Sequence, residues 1–425
     1  MNLIKTIPKM ILMLICGILV GTGLLWLVFL LPEKNIYQHG SESLKTFASE
    51  GLYPSVGNTP AEKLDNWTDS LMVSLAFYEK QGVSPLNRAM SVYQPCIVSE
   101  DVDPVTAAFA YVKGDERLGD FPYARYWHGY LTILRPLLSI TDYNGIRTCN
   151  NVGVILLLIL VVGALVWKKQ YHIIVPVLLT FLFLRPLAAM FSLQFSSVYY
   201  PAMLTTLAIV LFHEKLKEDY HYVFLFLLVG MLVGYLDLLT YPVAALGIPL
   251  AIFLATQKGS SVLEQCKRVV ASSIAWGFGY FGIWAGKWLI GSLILKKSIL
   301  ADAAEQAKFR LSTNIGNMNF SRVDVFLRNI EVGFSGISGI AILILILSIV
   351  YMLWKNKAHI ADTLRHTVPY LLIFLIPFVW YCVLANHSYI HFFFTYRDLA
   401  VSVCSLECLC LGICPGNGQK HSLSD

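Results

Sequence analysis

The sequence predicts an all-α membrane protein that crosses the bilayer about ten times and carries a large helical outer loop after its first span. Three observations lead there. The 425 residues are 56% hydrophobic and only 14% charged, with a mean hydropathy of +0.62, and so few charged side chains would not cover a water-soluble domain of this size. Apolar runs near the roughly 20 residues that a helix needs to cross hydrocarbon recur along the chain. The Lys and Arg residues of the short links between those runs fall on alternate links, the bias that orients membrane helices. The net charge of +5 is scattered and forms no basic run, so no nucleic-acid partner is expected.

The first run, residues 10–32, follows Lys5 and Lys9 and is not followed by a small-residue cleavage pattern. Residues 1–32 therefore read as a cytoplasmic N-terminus and a retained signal anchor. Residues 33–147 read as an extracytoplasmic loop with amphipathic, interface-lying helices. Residues 148–414 hold the helix bundle, with spans centred on 152–167, 172–192, 199–213, 221–237, 241–256, 269–294, 335–354, 367–385 and 398–414. Residues 415–425 are a cytoplasmic tail. Lys168, Lys169, Lys215, Lys217, Lys258, Lys267, Arg268, Lys355, Lys357 and Arg365 all land on the side of Lys5 and Lys9, whereas the opposite links, 192–198 and 237–240, contain no Lys or Arg. Both termini are thus expected in the cytoplasm.

The loops at 33–147, 295–334 and 386–397 hold nearly all the polar residues of interest. No internal repeat, low-complexity tract or Walker-type phosphate loop is present, so nothing suggests ATP-driven chemistry. The nine cysteines include no CxxC pair. Cys404, Cys408, Cys410 and Cys414 crowd the last apolar run, where packed or lipid-facing thiols are expected rather than a closed metal site. A disulfide between Cys96 and Cys149 is compatible with an oxidising outer side but not required.

Within the first outer loop, Leu64, Trp67, Leu71, Leu75 and Tyr78 recur at helical spacing and predict an amphipathic helix over 64–80. Asp65 and Asp69, four apart, share its other face. Such a pair can divide labour, one carboxylate taking a proton while the other orients it or holds a cation; the same pattern also fits a solvated helix start favoured by the helix dipole. A second amphipathic helix is expected over 122–140, begun by Pro122. Its aromatic side carries Tyr123, Tyr126, Trp127 and Tyr130, and its other side Arg125, His128, Thr132 and Arg135. Rings at headgroup depth with cations above them suit an interfacial helix, either as an anchor or with Arg125, His128 or Arg135 on a lipid phosphate.

Charges inside spans cost roughly 2.5–3.5 kcal/mol each at the bilayer centre, so each calls for an account. Arg185 precedes Pro186 in the third run, Asp237 closes the fifth, and Lys287 lies past the middle of a long one, where it either snorkels outward or points into a polar groove. The densest polar group is NHSYIHFFFTYR, with Asn386, His387, His391, Tyr396 and Arg397 just before the final span. Arg397 has the planar fork that holds a phosphate at two points, and a neighbouring His adds a hydrogen bond or a proton. His387 and His391 have metal-ligand spacing but no evident third ligand; a divalent cation is compatible with the sequence but not required by it.

A first span, a helix-bearing outer loop and later polar outer loops together resemble the GT-C superfamily of multi-spanning glycosyltransferases that use polyprenyl-phosphate sugars. The likeness covers the chain from the anchor at 10–32 through 33–147 to 386–397. Many members carry an acidic pair directly after the first span; here Glu33 stands alone there, and Asp65 and Asp69 come a segment later. The resemblance implies an inverting transfer to an extracytoplasmic glycan, lipid or protein, with Asp65 or Asp69 as the base. Arg397, His391 and Arg125 or Lys287 would hold the carrier phosphate, with His128, Asp237, His387 and Tyr396 nearby. A transporter or flippase of a lipid-linked or polar solute is the alternative, in which Arg185, Asp237 and Lys287 would line the pathway.

Overall fold

A computed structural model of the chain describes residues 6–257, 260–355, 357 and 360–412. Lys5, Lys258, Cys414 and the 415–425 tail lie outside them. Among the described residues the regular structure is helical apart from two short antiparallel hairpins.

Helix α1 (Ile7–Val28) has Pro8 in its first turn, where a missing N–H breaks no helical hydrogen bond. It shows Leu12, Leu19, Val20 and Leu27 on its outside, a surface suited to hydrocarbon. The chain then folds into a helical segment: α2 (Glu33–Glu50), α3 (Asn66–Phe77), α4 (Pro85–Ser91), β1 (Tyr93–Ile97), α5 (Pro104–Lys113), β2 (Leu118–Pro122) and α6 (Leu131–Leu138). These elements pack around a core of Ile36, Leu44, Phe47, Leu71, Phe77 and Leu131, to which Leu25 and Phe29 from the end of α1 belong. Arg135 ties the segment to α1 by donating to the Val28 carbonyl (2.9 Å), the Ala76 carbonyl and Glu33 (2.8 Å).

The bundle follows as α7 (Tyr143–Trp167), α8 (Ile174–Phe183), α9 (Pro186–Phe191), α10 (Leu193–Lys217), α11 (His221–Leu236), α12 (Ala244–Ala255) and α13 (Val262–Leu295). Next come α14 (Leu300–Leu311), the hairpin β3 (Asn314–Ile315) with β4 (Met318–Asn319), α15 (Arg322–Gly333), α16 (Gly339–Lys355), α17 (Ile360–Phe374) and α18 (Ile376–Val383). The chain closes with α19 (Ala385–Ile390), α20 (Phe392–Thr395) and α21 (Ala400–Gly412). Every residue of α12 is buried, and α12 packs on α10 and α21 at the centre. Helices α11 and α13 approach so closely that a Cβ at Gly230 would lie 2.1 Å from the Trp276 carbonyl oxygen and one at Gly279 2.3 Å from that of Leu227. Small residues permit this contact between membrane helices.

Among the described residues, six helical stretches are long and apolar enough to cross a membrane: Ile7–Val28, Tyr143–Trp167, Leu193–Lys217, Val262–Leu295, Gly336–Lys355 and Arg365–Val383. The expectation of an all-α chain with several apolar helices is met, while these lengths alone do not reach the expected ten or so. Apolar stretches Tyr171–Phe183, His221–Leu236 and Ala244–Ala255 are shorter, and α21 has 13 residues among those described. The run 172–192 is cut at Arg185, whose φ of 55° ends one helix before Pro186 begins the next; a residue before proline is disfavoured in the α region. Hydropathy registers composition, whereas crossing by one helix also needs unbroken backbone hydrogen bonds.

The helix expected over 122–140 is corrected. Pro122 pairs with Tyr93 in the first hairpin, residues 123–130 are irregular with His128 at φ 54°, and only Leu131–Leu138 is helical. Hydrogen bonds to other elements hold this stretch open: Trp127 Nε1 donates to the Ile283 carbonyl (2.6 Å) and Gly129 N to the Tyr235 carbonyl (2.9 Å). The helix expected over 64–80 forms as α3.

Candidate functional site

Where the irregular 123–130 stretch meets α13, α14 and α18, they enclose a cavity of about 200 Å³. Helix α13 contributes Tyr280, Phe281, Trp284 and Trp288, and Trp380 and Val383 of α18 face them. The positions 280, 284 and 288 follow one helix face at four-residue steps. Ala303, Gln306, Ala307 and Arg310 place the matching face of α14 over the cavity. Phe281 and Val383 are themselves 57% and 44% exposed, so the open side of the cavity gives onto the apolar surface of the bundle.

Its polar end is made by Arg125 and Arg310. Arg310 Nη2 donates to the Tyr126 hydroxyl (2.9 Å) and Nη1 to His387 Nδ1 (2.5 Å). Both acceptors are neutral, and among the described residues this guanidinium has no carboxylate partner. Arg125 lies over the rings of Tyr123 and Tyr126, at 4.5 and 5.6 Å from their centres. Its Nη1 meets both Asp302 oxygens, at 3.3 and 3.2 Å, while its Nε is buried without a partner. Trp288 Nε1 donates to the Arg125 carbonyl (2.9 Å) and fixes the backbone there. A cationic end on an aromatic, laterally open cavity suits an amphiphile with an anionic head.

The histidines are set as neutral acceptors or props. His387 Nε2 lies 2.6 Å from the Leu239 carbonyl and must donate to it, leaving Nδ1 to accept from Arg310. Burial and the adjacent Arg310 hold His387 well below the usual imidazole range. His391, whose ring centre is 4.7 Å from that of His387, is pushed down to about 4 by burial and the same Arg310. His128, held down to about 3 by burial, donates Nε2–H to the Tyr123 carbonyl (2.8 Å) and accepts from Tyr130 at Nδ1 (3.0 Å). It shapes the turn that presents Arg125 and does not line the cavity.

Other expected site residues lie elsewhere. Asp69 is fully buried and accepts from Tyr143 Oη (2.5 Å), Leu193 N (2.7 Å) and Gln194 N (3.0 Å). It thereby caps the first turn of α10 from a distant element, satisfying N–H groups that no helix can bond internally. Asp65 accepts from the Thr68 backbone N–H and hydroxyl (both 3.0 Å) and from the Gln194 amide. The shared face of the pair is thus a buried joint between α3 and α10, not a solvated surface. Burial pushes the Asp65 carboxyl up and that of Asp69 up to about 7, outweighing the hydrogen bonds that favour the anion.

Arg397 is wholly buried. Its Nε donates to the Leu184 carbonyl (3.0 Å), Nη1 to that of Phe393 (3.3 Å) and Nη2 to that of Ala61 (3.3 Å), and it stacks 4.1 Å from the Phe195 ring centre. Tyr396 donates to the same Ala61 carbonyl (3.1 Å). Together they clamp the 3-10 turn Pro60–Glu62 to the bundle, with the arginine's fork spent on carbonyls. Asp237 accepts from Ser197 Oγ (2.8 Å), Thr240 Oγ1 (2.5 Å) and Thr240 N (2.9 Å) and ends α11. Lys287 does not snorkel: it is buried, donating to the Met90 carbonyl (2.9 Å) beneath α4. Arg185 donates to the Ser335 carbonyl and lies 3.5 Å from Glu62.

Of the expected binding residues, the cavity thus brings together Arg125 directly and His387 through Arg310. Sequence reading did not single out Arg310, Asp302, Trp284 or Trp288. The alternation of 303, 306, 307 and 310 in LADAAEQAKFRL and the four-residue tryptophan step in WAGKW were the signals available. Cys96 and Cys149 are both free thiols. Among the described residues no group of three His, Cys, Asp or Glu side chains is arranged to hold a metal ion. No family model, curated protein or solved structure matches the chain.

Proposed function

We propose that this protein is a membrane glycosyltransferase that takes a sugar from a polyprenyl-phosphate carrier and passes it to an extracytoplasmic acceptor. The observation that carries the reading is Arg310: a half-buried guanidinium with only a phenol and an imidazole as partners, at the end of an aromatic cavity open to the apolar surface. A buried cation without an opposite charge is costly, and a carrier phosphate entering from the lipid side would supply that charge. Arg310 and Arg125 hold the phosphate, the prenyl chain leaves past Phe281 and Val383, and the sugar stacks on the tryptophans of α13.

In the transfer, an acceptor hydroxyl oxygen bonds to the anomeric carbon as the carbon–oxygen bond to the phosphate breaks. The electron pair leaves on the phosphate oxygen, where the two arginines stabilise the developing charge. The reading includes the orientation expected from the basic links, with both termini cytoplasmic and residues 33–147, α14 and the cavity outside. It also includes further crossings by the shorter apolar helices, combined or tilted, up to about ten. Asp65 and Asp69, the acids suggested by the sequence, would have to leave their capping positions on α3 and α10 to move a proton.

The test uses the full chain in lipid nanodiscs. Polyprenyl monophosphate should bind the wild type, and Arg310→Ala should weaken binding by about ten- to a hundredfold, as expected for a charge-assisted contact of roughly 1.5–3 kcal/mol. Polyprenyl-phosphate hexoses should release polyprenyl phosphate on turnover. If such lipids cross the bilayer uncleaved, the flippase reading replaces this one.

A further inference from the structure

Asp302 stands apart from the carboxylates that the sequence singled out. It sits in the first turn of α14, four and eight residues before Gln306 and Arg310, so the three occupy one face of the helix. Gln306 and Arg310 line the cavity, as does Ala303 beside Asp302. The Asp302 side chain is 47% exposed, whereas that of its partner Arg125 is 20% exposed. Asp65, Asp69 and Asp237 are buried and hydrogen-bonded to caps and turns. Asp302 is held by a single Arg125 nitrogen, shared between its two oxygens at 3.3 and 3.2 Å.

Helix α14 is lightly attached. Ala303 is its one buried residue, and the chain enters it after Lys296 at φ 53°. Its polar tethers to the cavity wall are Asp302 on Arg125 and Arg310 on Tyr126 and His387. A phosphate arriving at the cationic end meets Arg125 already occupied by an anion of the protein's own, and the donor's phosphodiester, a monoanion whose two free oxygens can engage Arg125 and Arg310 together, competes well against a carboxylate held by one nitrogen.

We propose that Asp302 occupies on Arg125 the place of the donor phosphate and, once displaced, becomes the base that takes the acceptor's proton. This rests on the donor reading above. Phosphate binding breaks the ion pair and frees a carboxylate at the cavity mouth, where an acceptor approaches from water. As the acceptor oxygen bonds to the anomeric carbon, its proton passes to Asp302 and the carbon–oxygen bond to the phosphate breaks. The electron pair stays on the phosphate held by Arg125 and Arg310, and the carboxylic acid then returns its proton to water.

The signature is a split that a structural role would not give. Asp302→Asn removes both the competing charge and the base, so affinity for polyprenyl monophosphate should rise severalfold. Release of polyprenyl phosphate from polyprenyl-phosphate hexoses, with water as acceptor, should fall about a hundred- to ten-thousandfold. Asp302→Glu should restore part of the turnover and bring affinity back toward wild type. Weaker or unchanged binding in Asp302→Asn, or turnover at the wild-type rate, overturns the proposal while the donor reading stands. A wild-type protein that binds no polyprenyl monophosphate removes the donor reading and this proposal with it.

Discussion

Arg125 and Asp302, 177 positions apart in sequence, meet at 3.2 Å at the mouth of the aromatic cavity. The pair links the irregular stretch after β2 to the lightly held helix α14. It joins two parts of the molecule that no local rule connects, and it sets an exposed acid against one of the two cations of the cavity.

The ring of Trp288 lines the cavity while its Nε1 positions the Arg125 backbone. Trp288→Phe keeps an aromatic wall and deletes that donor. With a net hydrogen bond worth about 1 kcal/mol, affinity for polyprenyl monophosphate should drop roughly fivefold with thermal stability nearly unchanged. Isothermal titration beside a melting curve checks both.

Arg397 should behave as a clamp. Arg397→Ala takes the side-chain donor from the carbonyls of Leu184 and Phe393 in a dry interior, at about 1–3 kcal/mol for each unsatisfied group, while the Ala61 carbonyl keeps Tyr396 Oη. Arg397→Lys should recover little, because one ammonium cannot reach three separate carbonyls. Both variants should melt well below wild type in detergent, and the fraction that remains folded should bind polyprenyl monophosphate normally. A stable Arg397→Ala protein with lost phosphate binding would return this residue to the donor site.

Stability should depend on pH through Asp69. Its carboxyl is raised from 3.8 to about 7 by burial. Between those values the unfolded chain has released the proton that the folded chain keeps, so the site's contribution is full below about pH 4 and lost as pH rises through about 7. Comparison of melting midpoints for wild type and Asp69→Asn across this range should show the wild type alone declining from this source. Parallel curves would mean that Asp69 is ionised throughout.

Single cysteines placed at Lys169 and Lys357 should be shielded from an impermeant thiol reagent in sealed right-side-out vesicles, and one placed at Glu116, in the link before β2, should react. The basic links motivate this orientation. Labelling of Glu116→Cys only after permeabilisation would put the cavity on the cytoplasmic side and end the extracytoplasmic reading.

Composition and apolar runs by themselves determined that the chain is helical and suited to a membrane, because both depend on how much hydrocarbon each segment exposes. The α3 helix and the acidic start near Asp65 were likewise legible, since capping and helical spacing are local. Which helices have crossing length was decided by breaks such as Arg185–Pro186 and by the turn at 237–243, features that a hydropathy window averages away. The stretch 123–130 has helical spacing, yet bonds from Trp127 and Gly129 to α13 and α11 hold it open. Only the tertiary structure turned Asp69 and Arg397 inward to cap a helix and clamp carbonyls, and brought Arg310 beside Tyr126 and His387. A side chain's chemistry follows from its residue type, but whether it meets a backbone group, a partner or an open cavity depends on neighbours far away in sequence.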